Sequence, residues 1–485
     1  VRYRNALDVL QRHYEGASKS RRTEGWFRTA GDANAASRSA LAGLRENARD
    51  LVRNNSWAAN GVRKATGNVV GTGILPKPKW AKEPGKRLRA EFQETWKAWA
   101  ESTDCDFEGD CDLYGLQRLA VRTMFESGEV LIRRHIDETS DNKLPLRLQV
   151  LEPDHLDAEK TVVGSNGNRI IQGVEYDPKN RRVAYWLFAD HPGALLAVPS
   201  RSRVSERVDA TQIAHMFRKD RPGQVRGISA FAPCVVRLKD TDEYEDAALL
   251  RQKIAACFAA FITNTDGSSP SIGDPDDSGD VGIDEIYPGM IKPLKPGEGV
   301  TFATPPSTAD FESFTRAQLR AVAAGLGITF EQLTGDYSQV NFTSGRMAKV
   351  DMTPDVEALQ YLTVIPMLCQ PIWRWAMMAL ALRSGEMRTP IAQWTPPAVT
   401  MYDRDAEYAG LQRGVRAGLL PLSEAIKLSG YDPDETFEQI EETNKILDAK
   451  KIVLDSDPRQ TSQGGQSQND PAADKASKTP PKGKD

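Results

Sequence analysis

The chain is 485 residues long, enough to bury a large core and to divide into roughly two to four domains or subdomains. Its 40% hydrophobic and 27% charged residues suit a globular protein with some exposed segments, and 63 basic against 67 acidic side chains leave a net charge of -4. That near balance excludes a strongly basic nucleic-acid binder, so any contact with DNA is local or transient. Cys105, Cys111, Cys234, Cys257 and Cys369 are odd in number and scattered, which argues against a disulfide framework and for a reducing, cytoplasmic compartment. The opening VRYRNALDVLQRHYEG has no apolar signal core. Pro366, Gln370, Pro371 and Arg374 interrupt Tyr361–Leu382 before it reaches the ~18 apolar residues of a membrane span.

Residues 1–47 read as a basic, weakly patterned arm with one helix expected over Ala6–Tyr14. Its Arg21, Arg22, Trp26 and Arg28 fit a stretch that wraps a neighbouring chain or stays disordered better than a DNA patch. Ala48–Pro78 spaces its apolar residues as two amphipathic helices broken at Asn54-Asn55, then a strand from about Asn68 and a turn at Gly71 and Gly73. Asn55 and Asn60 have capping and turn chemistry. Gly85–Ala100 is a helix with Leu88, Phe92, Trp96 and Trp99 as core anchors, and Leu113–Glu126 is another. Between them Asp104–Asp112 alternates carboxylates with two cysteines. C-x5-C has no partner pair or His cluster, so a solvated loop is expected there and no metal site.

Strands are expected at Glu129–His135, Leu146–Leu151, Arg169–Tyr176 and Arg182–Phe188, with Tyr176–Asn180 as the hairpin turn between the last two. This is an α+β arrangement: a mostly antiparallel sheet with helices packed on it. His155 lies beside Asp154 and Asp157, but no nucleophile stands at a motif spacing, and no catalytic role is assigned. Ile213–Phe217 is a further strand, Asp220–Gly227 a tight turn, and Ser229 the cap of the next helix. In that turn Gln224 and Arg226 read as structural, with Arg226 a structural or intersubunit clamp and a phosphate contact left open.

Glu243–Ile262 carries a strong helical pattern with an Ala-rich face suited to close helix approach. Asn264–Pro306 abandons it for Gly, Pro, Ser and Asp, with short strands expected at Met290–Leu294 and Gly299–Phe302. Inside that stretch Asp274–Glu285 matches the oxygen spacing of a calcium loop. Ser268-Ser269-Pro270 denies it an entering helix, so an exposed acidic loop is the expectation. Ala309–Leu326 is the next helix, loosened at its end by Gly325 and Gly327. Thr329 and Gln332 resemble a capping box for a short helix ending near Gly335. A polar and aromatic loop over Asp336–Arg346 precedes a long helix, Ser344–Leu382, broken or kinked at Pro354, Pro366 and Pro371. Trp373 and Trp375 point to different faces, which suggests burial within an assembly. Short helices follow over Asp403–Leu419, Ser423–Leu428 and Asp434–Leu447, with Ser423 and Asp432 as cap candidates, and the Gln/Ser/Asp/Pro/Lys tail from Lys451 is disordered.

Three runs resemble one family. AAGLGITFEQLTGDYSQVNFTSGR (residues 323–346), ARDLVRNNSWAANGVRKATGNVVGTGILPKP (48–78) and the GQ-x-RG turn of IAHMFRKDRPGQVRGISAFAPCVVRLKDTDEYEDA (213–247) are similar to segments of lambda-type tailed-bacteriophage portal proteins. The resemblance covers about Ala48–Leu447. It implies a portal fold: arm 1–47, wing 48–238, first stem helix 239–263, inserted clip 264–307, second stem helix 308–327, tunnel-loop region 328–346, long kinked helix 347–385, helical crown 386–450 and tail 451–485. It further implies a ring of twelve subunits at one capsid vertex of the virion, assembled in the host cytoplasm, through which double-stranded DNA passes without sequence specificity. The implied partners are the large terminase subunit, capsid and scaffold proteins, and head-completion or adaptor proteins, with no membrane, metal or cofactor.

On that resemblance the DNA-facing candidates are Tyr337, Gln339, Asn341, Phe342, Arg316, Arg320, Arg346 and Lys349. Arg316 and Arg320 lie one turn apart; repeated around a ring they form cationic belts, or else they pair with Glu243, Glu245 or Asp246 of the first stem helix, and both readings stand. No G-x-x-x-x-G-K-[ST] phosphate loop occurs, in keeping with a chain that leaves ATP hydrolysis to the terminase and is not itself an enzyme. The rival readings are a metal-dependent hydrolase or nuclease built on Asp104, Asp106, Asp110 or the Asp274–Glu285 loop, and another ring-forming virion adaptor. The first lacks converging His or carboxylates on ordered elements; the second is usually a smaller protein.

Overall fold

The structure, a computed structural model, describes residues 21, 24–25, 30–81, 85–137, 144–164, 167–196, 201, 203–256, 260–264, 298–302, 311–385, 389–397, 404–431, 433–450 and 452. The chain divides into two compact units, residues 1–74 with 78–392 and residues 75–77 with 393–485.

The first unit begins with α1 (Ala33–Ser37), capped by the Asp32 carboxylate, which accepts the Ala35 amide at 2.7 Å. Helix α2 (Leu41–Asn54) starts inside the stretch read as an arm and buries Arg45, so the arm's expected boundary at residue 47 falls within a folded helix. Asn55 breaks it from α3 (Ser56–Val70) by turning extended and capping α3 at the Ala58 amide. The strand expected from Asn68 is absent: α3 runs on through Val70, because Val69 and Val70 complete its buried face. The turn at Gly71 and Gly73 leads instead to β1 (Leu75–Lys79), which pairs with a late strand.

Helices α4 (Lys86–Ala100) and α5 (Leu113–Ser127) form as their periodicity requires, with Trp96 and Trp99 buried on α4. Gly128 ends α5 at φ 92°, a left-handed position that glycine adopts without strain. The chain then enters β2 (Glu129–Ile136), antiparallel to β3 (Leu146–Leu151). The expected strand Arg169–Tyr176 is in fact a hairpin. After β4 (Val162–Val163), β5 (Arg169–Ile171) and β6 (Val174–Tyr176) are joined by Gln172-Gly173, both at positive φ, the two-residue turn whose twist suits antiparallel strands. With β7 (Arg182–Phe188) and β8 (Ser205–Asp209) these make a five-stranded sheet in the order β4-β5-β6-β7-β8. Strand β9 (Ile213–Phe217) returns to pair with β2, giving the order β3-β2-β9. One core joins the two sheets, built from Leu131, Leu151, Val174, Tyr185, Leu187, Val208 and Ile213. Each such side chain contributes about 1.5–3 kcal/mol on burial.

Ser229 caps a turn at the Phe231 amide, ahead of α6 (Val235–Ala256), so it is not the helix cap itself. Ala260–Ile262, read as the end of that helix, belong instead to strand β10 (Ala260–Asn264), paired antiparallel with β11 (Glu298–Phe302). The expected strand Met290–Leu294 and the acidic loop Asp274–Glu285 lie outside the described residues. Helix α7 (Phe311–Leu326) leads to α8 (Phe330–Thr334), and Asn341 begins α9 (Phe342–Leu359). The long helix is kinked rather than broken. Pro354 sits inside α9, and Gln360–Cys369 continues as π-helix around Pro366 into α10 (Gln370–Ser384). Trp373 and Trp375 are buried within this one chain, donating to the Pro390 and Thr211 carbonyls, so no assembly is needed to cover them.

Strand β12 (Ile391–Thr395) is the partner of β1, and the second unit then holds α11 (Arg404–Arg416), α12 (Leu422–Leu428) and α13 (Pro433–Lys450). Ser423 is inside α12, whose cap position is Pro421; Asp432 lies outside the described residues. Among the described residues no helix is long and apolar enough to cross a membrane.

Candidate functional site

Two clusters account for the residues singled out in the sequence: the loop after α8 and a buried charge network beneath β2 and β9.

The loop is assembled from local turns. The Thr329 hydroxyl accepts the Gln332 amide, as a cap should, but the Gln332 side chain does not return to Thr329. It exchanges two hydrogen bonds with Asn68 of α3, at 3.1 and 3.3 Å, so the expected capping box is only half formed. Asn60 donates to the Gln332 and Leu333 carbonyls at 2.9 and 2.6 Å. These are orphan acceptors of a five-residue helix, and α3 supplies what the helix cannot. Gly335 then turns left-handed, at φ 74°. The Asp336 carboxylate accepts the Ser338 amide at 3.0 Å, and the Val340 amide reaches the Tyr337 carbonyl. The reciprocal box that the sequence placed at Thr329 stands at the far end: Asn341 accepts the Ser344 amide at 2.8 Å, and the Ser344 hydroxyl accepts the Asn341 amide at 3.0 Å.

Five candidates project from this frame. Tyr337 is 60% exposed and Phe342 53%, and Gln339, Asn341 and Arg346 are exposed as well. Phe342, Arg346 and Lys349 share one face of α9 by their spacing, with Lys349 half-buried. Arg316 does something else. Its Nη2 lies 3.0 Å from Glu312 and 3.2 Å from Asp336, with only 17% of its side chain exposed. It is therefore neither a bare cation of a belt nor a partner of Glu243, Glu245 or Asp246: the loop it was expected to accompany supplies its counter-charge. Arg320 is exposed and lies 5.5 Å over the Phe330 ring. No carboxylate is paired with Arg320 or Arg346 among the described residues.

The second cluster centres on Glu129. Glu129 and His215 are diagonal neighbours on one sheet face, since Glu129 faces Phe217 and Leu131 faces His215 in the ladder. Arg226 binds the Glu129 carboxylate through Nε at 2.8 Å and through Nη2 at 2.6 Å. His215 Nε2 donates to Glu129 at 2.8 Å, the Gly227 amide at 3.0 Å, and Arg45 adds a contact at 3.3 Å. The other Arg226 donors go to the Gln172 and Pro153 carbonyls. Arg226 is wholly enclosed and every nitrogen has a partner in its own chain, so it clamps within the subunit, with none left over for a neighbour or a phosphate. Gln224 shapes the turn that delivers it, accepting the Asp220 and Arg221 amides and donating to the Arg226 carbonyl. A Cβ on Gly227 would stand 2.2 Å from the Gly128 carbonyl oxygen, so this turn and the α5–β2 junction meet this closely only through glycine. Sequence reasoning missed Glu129, His215 and Arg45; a carboxylate opening a strand directly after a glycine was the available signal.

Burial alone would raise the Glu129 pKa, but the Arg226 charge and the His215 hydrogen bond outweigh it and hold the carboxyl well below the usual range. Burial pushes His215 down to about 4. Its Nδ1 has no hydrogen-bond partner, so a second ring proton would be buried without an acceptor.

Of the two acidic stretches, Asp104–Asp112 is described, and its Asp106 and Asp112 carboxylates are engaged locally. Asp106 is buried and its carboxylate accepts the Glu108, Asp110 and Cys111 amides, while Asp112 caps α5. Burial raises the Cys105 thiol to about 12, away from the thiolate a zinc ion takes. Glu152, Asp154 and His191 bring ligand atoms within 4.8 Å of one another, a grouping the sequence did not reveal. Arg49 already lies 2.6 Å from Asp154 and 3.2 Å from Glu152, and Arg45 takes the other Asp154 oxygen, so cations occupy the carboxylates. His155 turns its Nδ1 to the Phe188 carbonyl.

The family model described as phage portal protein, lambda family, matches residues 19–360. A probable portal protein of Halomonas phage phiHAP-1 is 28% identical over 90% of this chain and 86% of its own length. Portal protein B of Escherichia phage lambda is 24% identical over 62% of each chain. A solved chain from the neck of an empty GTA particle aligns over 83% of this chain and 95% of its own, at 16% identity and a TM-score of 0.47. With the family model spanning well over half of its residues, the chain belongs to the lambda family of phage portal proteins.

Proposed function

We propose that the chain closes into a ring, of the twelve subunits its family implies, at one vertex of a phage capsid in the virion, and that double-stranded DNA enters and leaves through its centre without being read. It docks the large terminase subunit during packaging and head-completion proteins afterwards, leaving ATP hydrolysis to the terminase. In this reading residues 48–238 are the wing, 239–263 and 308–327 the stem, 264–307 the clip, 347–385 the long helix and 386–450 the crown. The chain acts as a conduit and docking platform, not as an enzyme.

The observation that carries the reading is the exposed loop between α8 and α9. Its tip presents Tyr337 and Gln339 to solvent, with Phe342 exposed at the first position of α9, while α3 and the Asn341–Ser344 box fix both flanks. A polar and aromatic tip with few free cations suits a channel in which DNA must slide, because every phosphate neutralised by a fixed cation tightens binding. The test is native mass spectrometry of the full-length chain with negative-stain images of the same sample. A closed ring of about a dozen subunits with a central hole is expected; a monomer or dimer persisting at high concentration overturns the reading.

A further inference from the structure

We propose that Arg316 and Asp336 form a reversible latch that positions residues 336–340 against α7, and that a polyanion passing the loop opens it by taking Arg316 from Asp336. The second half of the proposal rests on the reading of this loop as DNA-facing; the first does not.

The geometry makes this pair easy to exchange while its surroundings hold. Arg316 has a second partner in Glu312, one turn earlier on its own helix, so it keeps a counter-charge when the loop leaves. Asp336 keeps its bond from the Ser338 amide, so the carboxylate is not stranded either. The pair lies part way to solvent, with 36% of the Asp336 side chain exposed. Such a contact is worth little, and a phosphate oxygen competes for a guanidinium on equal terms with a carboxylate. The two ends of the segment are held more firmly. Asn60 takes two carbonyls of α8, Gln332 and Asn68 exchange two bonds, and the Asn341–Ser344 box fixes the start of α9. Movement is thereby confined to Asp336–Val340. Arg316 is a positioning residue in this scheme, and Tyr337 and Gln339 are what it positions.

The test is hydrogen exchange of residues 336–340 in the assembled full-length chain, with and without a short blunt duplex DNA. D336N removes the charge but keeps the oxygen that accepts the Ser338 amide, so it reports on the latch alone. It should raise exchange in the segment roughly 1.5- to 5-fold, the range of an exposed ion pair. E312Q should lower exchange, because Arg316 then has Asp336 as its one carboxylate; a merely structural contact predicts no such tightening. Duplex DNA should raise exchange in the wild type and add nothing in D336N. Unchanged exchange in D336N overturns the latch. A D336N effect without any response of the wild type to DNA overturns the opening step, whereas failure of the ring reading itself is seen in the images and not in this experiment.

Discussion

Replacing Glu129 with Gln changes one oxygen for nitrogen and preserves shape while removing the charge. In the wild type the carboxylate receives Arg226 twice, His215, Arg45 and the Gly227 amide, all within 3.3 Å. Glutamine offers one oxygen and turns an amide donor toward groups that are donors themselves. Arg45 retains Asp154 at 3.2 Å, but Arg226 is fully buried and loses its one counter-charge. Stranding a buried charge in this way costs about 3–5 kcal/mol, a large share of the roughly 5–15 kcal/mol by which folded domains are stable. A chain of two compact units need not unfold in one step. The assay is therefore hydrogen exchange along β9, read against urea, in E129Q, R226Q and the double variant. In the double variant both charges are gone, so its loss should fall short of the sum of the two singles by at least about 2 kcal/mol. An E129Q loss below about 1 kcal/mol, or additive singles, would refute the claim that this pair holds the turn to the sheet.

Acid should weaken the same region before the carboxylate titrates. His215 is pushed down to about 4 in the folded chain, while an unfolded histidine titrates near 6.5. Between those values the unfolded state binds more protons, so stability falls as pH drops, by about 3 kcal/mol over the whole window. Below it the loss passes to Glu129, whose carboxyl is held low. H215Q should flatten the slope between pH 7 and 5, and a wild-type profile already flat there would mean that His215 is charged in the folded chain. At the loop, N341A removes the acceptor that caps α9 and should cost about 1 kcal/mol of helix start, seen as faster exchange over residues 342–346. Combined with F342A it should lower packaging and genome retention; wild-type values for both would remove this loop from the mechanism.

What the sequence made legible follows the range of the forces involved. Helices α4 and α5 and strands β2, β3 and β7 formed close to their expected bounds, because each is specified by its own alternation or periodicity, and all but β7 also by a glycine or carboxylate at an end. The errors fall where a local signal had two uses. Thr329 and Gln332 have the right spacing for a reciprocal cap, yet Gln332 is drawn to Asn68, far away in sequence, and the complete box goes to Asn341 and Ser344. Arg169–Tyr176 has strand composition throughout, and the two residues with positive φ that fold it into a hairpin are a Gln and a Gly that composition does not distinguish from an interior.

The charged residues show the same limit more sharply. Arg226 and Arg316 are alike in sequence: each is an arginine in a polar stretch, and each is a plausible contact for a phosphate. The fold separates them by what else is near. Arg226 is enclosed by a carboxylate and two carbonyls, so removing its partner leaves a charge with no solvent to fall back on. Arg316 has two carboxylates and partial exposure, so losing either is cheap. A side chain that costs several kcal/mol to release fixes the body of the subunit, and one that costs little can take part in movement. The same residue type thus serves rigidity under the sheets and exchange beside the loop, and only the number and burial of its partners tells the two apart.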